Sequence, residues 1–173
     1  MLVGLSGSGK STVARLVAGR LGLVLYDTDR LIEDQAVETV AKLFGSRGED
    51  AFRDLEAAAV AEACAGSGVV AVGGGAVLRA SNRLNMRRGN LVVWLDIPPS
   101  VLASRLAHHT QGEERPLLRG DLDQRVRSLW VERRAYYAAT AHVRVPHQHG
   151  GSSGSHATAQ TVAEMFAAWR DEN

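Results

Sequence analysis

Residues 4–12 read Gly-Leu-Ser-Gly-Ser-Gly-Lys-Ser-Thr. The stretch fits G-x-x-x-x-G-K-[ST], with Gly4, Gly9, Lys10 and Ser11 in the fixed places. The pattern makes a specific physical demand. Backbone N–H groups must turn inward around a run of phosphates, and glycine permits that backbone. Gly7, Ser8, Gly9, Lys10, Ser11 and Thr12 are therefore the candidate nucleotide-binding residues. Lys10 is placed to reach the β- and γ-phosphates, and the Ser11 hydroxyl to ligate Mg²⁺. The helix expected to follow would aim the positive end of its dipole at the same phosphates.

Such a motif carries weight only between a strand and a helix. Met1 to Leu5 is a short apolar run, and Val13, Leu16, Val17 and Leu21 fall at i, i+3, i+4 and i+8, one helix face. Lys10 is also one of two lysines in the chain, with Lys42; the remaining side chains of fixed positive charge are arginines. A chance glycine turn would need the Lys-Ser pair and both flanks to coincide.

Outward from the loop, apolar runs alternate with helical patterns. Leu23 to Tyr26 reads as a second strand ending at Asp27, Val69 to Val72 as a third ending in Gly73-Gly74-Gly75, and Leu91 to Leu95 as a fourth ending at Asp96. His142 to Val145 reads as a fifth. Helices are expected in two short pieces over 30–44, over 49–65 with Phe52, Leu55, Ala59 and Ala63 on one face, over 98–107 with Pro98 in the first turn, and over 122–137. Val162, Met165, Phe166 and Trp169 mark a last one. The alternation predicts an α/β fold, a five-stranded parallel sheet flanked by helices. Ligands in such sheets lie beyond the carboxyl ends of the strands, where the glycine and carboxylate punctuation falls here.

At 173 residues, 45% hydrophobic and 23% charged, the chain reads as one globular domain over 1–173. A net charge of +1 gives no field pointing to nucleic acid or membrane. No apolar run approaches a membrane span and no leader pattern precedes the loop, so a cytoplasmic protein is expected, and a monomer. The single cysteine, Cys64, lies in an alanine-rich helical stretch and reads as a small core residue. Residues 146–158 are expected to form a flexible glycine-serine loop, with His147 and His149 lacking the carboxylate or cysteine that a metal site needs.

Other residues must name the second substrate. In Asp27-Thr28-Asp29 two carboxylates at a strand end can divide labour, one in the Mg²⁺ shell and one accepting a proton from an attacking hydroxyl. The competing reading is helix capping, with Thr28 or Asp29 as the cap of a helix starting near Arg30. Asp96 competes as a metal ligand or as a turn residue. On the helix after Asp121 the stripe Leu122, Val126, Leu129, Trp130 and Tyr137 places Arg133 in its middle and Arg134 at its edge. An inward arginine needs an anion, either a structural acid or a bound carboxylate. Arg53 stands beside the Phe52/Leu55 face with Glu56 three positions on, spaced to hold its guanidinium or to make a surface ion pair.

The chain resembles the shikimate kinases over nearly its whole length. The residues that carry the likeness are Gly4–Thr12, Asp27-Thr28-Asp29, Gly48-Glu49 followed by Phe52-Arg53 and Glu56, Gly73-Gly74-Gly75-Ala76-Val77, Arg115-Pro116-Leu117-Leu118, and Arg133 with Tyr137. The resemblance implies a P-loop kinase that uses ATP and Mg²⁺ to phosphorylate the 3-hydroxyl of shikimate. It implies catalytic roles for Lys10, Asp29 and Arg115, with Arg115 also on the nucleotide from a mobile lid over 108–120. Ser11 and Asp27 would hold the metal. Asp29, Arg53, Gly73, Gly74, Gly75 and Arg133 would bind shikimate, the two arginines clamping its carboxylate. Two departures stand out. Ala107-His108-His109-Thr110-Gln111-Gly112 lacks a further lid arginine, and His147-Gln148-His149-Gly150-Gly151 lacks the basic residue often set against adenine. The alternatives are another small-molecule kinase of this fold, such as a gluconate kinase, or a nucleotide-binding homologue without turnover.

Overall fold

The computed structural model describes residues 1–109, 121–147 and 151–172. Five short strands form one sheet: β1 (Leu2–Val3), β2 (Val24–Asp27), β3 (Gly68–Ala71), β4 (Val93–Asp96) and β5 (Val143–Pro146). All pairings are parallel, in the order β2-β3-β1-β4-β5. Successive strand residues face opposite sides, as the pleat requires. Leu2, Val69, Ala71, Val93 and Leu95 enter one core layer, while Val3, Val70, Val72 and Trp94 enter the other.

Among the described residues, seven α-helices cover the two faces. α1 (Lys10–Leu21) packs beside α7 (Gly151–Glu172) over the first layer, where Val13, Val17, Ala159 and Val162 are buried. α3 (Val40–Ala65), α4 (Ala80–Arg87), α5 (Pro99–His109) and α6 (Leu122–Thr140) supply the second layer through Val60, Met86, Leu102, Leu106, Val126 and Tyr137. α2 (Thr28–Ala36) packs on the early part of α3 through Ile32, Leu43, Phe52 and Ala59. α3 is kinked at Gly48, whose φ of 80° and ψ of 172° leave the helical region, so two helical pieces run end to end. Among the described residues no helix is long and apolar enough to cross a membrane.

The strand order places the site. The chain leaves β1 for β2, returns to β3 beside β1, and then crosses to β4 on the other side of β1. The segments after β1 and after β3 therefore lie side by side at the carboxyl ends, where a crevice opens in a doubly wound sheet.

One expectation is corrected. Residues 151–158, expected to belong to a flexible loop, form the first turns of α7. Glycine and serine disfavour a helix by up to about 1 kcal/mol per residue relative to alanine, yet packing against α1 overrides this. Gly154 is buried, Ala159 is fully buried, and Thr158 Oγ1 donates to the Gly154 carbonyl at 2.8 Å. Gln148, His149 and Gly150 lie outside the described residues. The loop expected over 108–120 starts later, since α5 runs through His109; Thr110 to Gly120, Arg115 included, lie outside the described residues.

Candidate active site

The loop after β1 has the geometry its sequence demands. Gly9 caps α1 with φ 86° and ψ 16°, a left-handed conformation that a side chain disfavours. Lys10 folds back over the loop, its Nζ donating to Gly4 O at 2.8 Å and Leu5 O at 3.0 Å. Ser11 Oγ donates to Asp27 Oδ2 at 2.7 Å. Both metal candidates, on α1 and at the end of β2, are thus already in contact. A hydroxyl against a carboxylate beside a phosphate loop is a hard oxygen donor set of the kind Mg²⁺ takes. Asp27 also caps α2, with its Oδ1 accepting from Asp29 N at 3.2 Å. The two readings of this carboxylate are compatible, and Asp27, rather than Thr28 or Asp29, is the cap.

The second group of residues meets at the triple glycine. Arg53 is buried on α3, its Nη1 donating to Glu56 Oε2 at 2.7 Å and its Nη2 to Glu49 Oε1 at 2.9 Å. This is a buried pair and not a surface one. Burial raises the Glu56 carboxyl above its usual range, and Arg53 and Arg133 pull it back. The permanently charged Arg53 guanidinium stands 2.7 Å from the Glu56 carboxylate and favours its ionised form. The Arg53 fork lies so close to Gly75 that any Cβ there would collide with it. A Cβ on Gly73 would stand 2.7 Å from Asp29 Oδ1 and 2.9 Å from Glu56 Oε1. The triplet is glycine because charged side chains crowd it.

Arg133 completes the group from α6. It is buried, with Nη1 donating to Gly74 O at 3.4 Å, while Arg134 is exposed and stacks on the Trp130 ring at 4.9 Å. The inner and edge positions read from helix periodicity are borne out. Tyr137 Oη donates to the same Gly74 O at 2.6 Å, and burial pushes its phenol pKa well above the usual value. Lys10, Ser11, Asp27, Asp29, Arg53, Gly73, Gly74, Gly75 and Arg133 therefore lie around one crevice.

Asp96 is buried at the end of β4. Arg144 of β5 binds its Oδ2 through Nε at 2.7 Å and Nη2 at 2.6 Å. Burial pushes the Cys64 thiol up, away from nucleophilic use. No group of three or more potential metal ligands of the His, Cys, Asp and Glu type occurs among the described residues.

Sequence reasoning missed Arg105. Its Nη1 reaches Gly7 O at 3.4 Å and Ser8 O at 3.5 Å, which lays a cation over the phosphate loop from α5. The signal was weak: Arg105 lies beside the buried Leu102 and Leu106 but has no acid at helical spacing. A cleft opens next to it, between the loop, the end of β5 and the start of α7, lined in part by Ser8, Pro146, His147, Ser155 and Thr158.

A family profile described as Shikimate kinase matches residues 6–167. The chain belongs to the shikimate kinase family. A shikimate kinase of Symbiobacterium thermophilum is 51% identical over 148 residues, covering 84% of this chain and 84% of that protein. The solved shikimate kinase from Acinetobacter baumannii, in complex with shikimate, superposes with a TM-score of 0.89 at 31% identity, covering 96% of this chain and 91% of that one. A gluconokinase from Sinorhizobium meliloti shares the fold alone, with a TM-score of 0.59 at 24% identity. Membership of the shikimate kinases makes the chain an enzyme, a kinase that uses ATP.

Proposed function

We propose that the protein transfers the γ-phosphoryl group of ATP to the 3-hydroxyl of shikimate, giving 3-phosphoshikimate and ADP. One observation carries this reading: two buried arginines from different helices, Arg53 and Arg133, meet adjacent residues of the triple glycine next to Asp29, beside the phosphate loop. Two guanidinium groups bracketing a narrow glycine-lined space suit a small carboxylate.

The roles follow from position. The N–H groups of the loop and α1 hold the ATP phosphates, and Lys10 swings from Gly4 O and Leu5 O to the β- and γ-oxygens. Arg53 and Arg133 fix the substrate carboxylate and so the direction of the ring. Asp29 accepts a hydrogen bond from the 3-hydroxyl and takes its proton as the new O–P bond forms and the bond to the β-phosphate oxygen breaks. Ser11 and Asp27 would hold Mg²⁺, which when bound neutralises phosphate charge. Arg115, outside the described residues, is assigned to the transferring phosphate through its Arg-Pro-Leu-Leu context. Loosening charge on the phosphoryl group then meets cations on every side.

ADP release against a panel of shikimate, gluconate and nucleoside monophosphates tests the reading. Shikimate alone should support turnover, and Asp29→Asn should lower kcat by about 10²–10⁴-fold, the usual span for a general base. Turnover on gluconate would favour the sugar-acid alternative, and no turnover on any acceptor would favour a nucleotide-binding protein without catalysis.

A further inference from the structure

The triple glycine is the meeting point of the site, and its backbone is held by two hydroxyls that no catalytic role yet uses. β3 pairs with β2 as far as Asp27 opposite Ala71. One residue on, Val72 N turns to Leu2 O of β1 at 3.1 Å. Gly73 N–H is thus beyond the end of the β2 ladder, in a buried position where a missing partner is costly. Thr28 takes it. The Thr28 side chain is fully buried, and its Oγ1 accepts from Gly73 N at 2.8 Å. Thr28 lies between Asp27 and Asp29, so one residue links the two carboxylates to the start of the triplet.

On the far side the Gly74 carbonyl is held by Tyr137 Oη at 2.6 Å, with Arg133 Nη1 at 3.4 Å as the longer second donor. Tyr137 is itself fixed by packing, its ring 5.9 Å from that of Trp94 and stacked at 25°. The inner bonds of the turn are Ala76 N to Gly73 O at 3.1 Å and Leu78 N to Gly75 O at 3.0 Å. The segment lies against Ser6 of the phosphate loop, Asp29 and Arg53 at once.

We propose that Thr28 and Tyr137 are positioning residues, which grip the triple glycine from opposite sides and so set the spacing between Asp29, Arg53 and Arg133. The proposal rests on the shikimate kinase reading above. Neither residue needs to touch substrate. Thr28 fixes the triplet relative to the proton acceptor on α2. Tyr137 takes the Gly74 carbonyl at 2.6 Å and leaves Arg133 Nη1 only the longer contact at 3.4 Å, so the guanidinium is not committed to that oxygen. Among the described residues, Arg133 is the donor that remains to this half-buried carbonyl without the phenol.

Steady-state kinetics of Thr28→Val, Thr28→Ser and Tyr137→Phe separate this from a purely structural role. Thr28→Val keeps the shape and removes the acceptor. It should raise KM for shikimate at least fivefold while KM for ATP stays within twofold of wild type. Thr28→Ser restores the acceptor and should recover most of the loss. Tyr137→Phe should raise KM for shikimate by a similar factor. Because both act through one glycine segment, the double variant should lose less than the product of the single losses. Shikimate KM within twofold of wild type in both single variants, in protein that melts cooperatively, overturns the proposal. Should Thr28→Val fail to fold, Tyr137→Phe carries the same test. Wild type without turnover on shikimate would instead overturn the functional reading, and this proposal with it.

Discussion

Arg133 and Arg134 are neighbours in sequence with opposite environments. Arg133 is 5% exposed and faces Gly74, whereas Arg134 lies on the surface over Trp130. A charge-assisted hydrogen bond contributes roughly 1.5–3 kcal/mol, so Arg133→Ala should raise KM for shikimate by about 10- to 100-fold. Arg134→Ala should change it by less than about twofold, since an exposed stacked arginine contributes ~1 kcal/mol at most and touches no substrate. Equal effects would sink the assignment of Arg133 to the substrate carboxylate. The side of the helix on which Arg133 lies was legible from the 100° step alone. What it would meet there was not. Helix periodicity says that a residue points inward, but Gly74 comes from a segment 59 residues away.

At the scale of elements, two junctions carry stability arguments. α2 ends at Val37, the one non-glycine residue with positive φ among the described residues, at φ 54° and ψ 30° and 88% exposed. A β-branched residue in the left-handed region is strained by roughly 1–2 kcal/mol, part of which glycine recovers. Val37→Gly should therefore raise the melting temperature by a few degrees; an unchanged or lower value would show that the junction is not strained. The second junction joins α6 to β5. His142 has an exposed ring, but its Nδ1 accepts from Val92 N at 3.0 Å. Desolvation there, with Arg87 adding, lowers its pKa below the ordinary histidine value of 6.5. The unfolded chain binds the proton more readily than the folded one, so this contribution is full above pH 6.5 and is lost as pH falls through the folded value. Thermal melts at pH 7 and pH 5 should show a smaller acid-side loss in His142→Ala than in wild type; parallel losses would assign the acid sensitivity elsewhere. Element type was largely readable from sequence, because hydrophobic periodicity reports burial directly. It failed at 151–158, where composition opposes a helix that packing imposes. The two short pieces over 30–44 and the longer helix over 49–65 were legible, but not that the second and third run end to end across Gly48 without a loop.

For the whole molecule, the number of strands and their parallel sense followed from alternation with helices. The order β2-β3-β1-β4-β5 did not, because partner choice depends on long-range contacts that no local pattern records. That order sets the function. It puts the phosphate loop after β1 beside the triple glycine after β3, with α2, α3 and α6 bringing Asp29, Arg53 and Arg133 to the same crevice. The carboxylates and the arginines were readable one by one as chemistry in need of partners. Arg105, Thr28 and Tyr137 were harder to find, because each acts through backbone groups that every residue possesses. The account's central claim is a direction of transfer: phosphate leaves the loop toward one hydroxyl of a small carboxylic acid held by two arginines. Phosphorus NMR of the products from ATP and shikimate tests it most directly. The account predicts one new phosphomonoester resonance, coupled to the proton on carbon 3 and formed in equal amount with ADP. Phosphate on another hydroxyl, or inorganic phosphate in place of an ester, would contradict it.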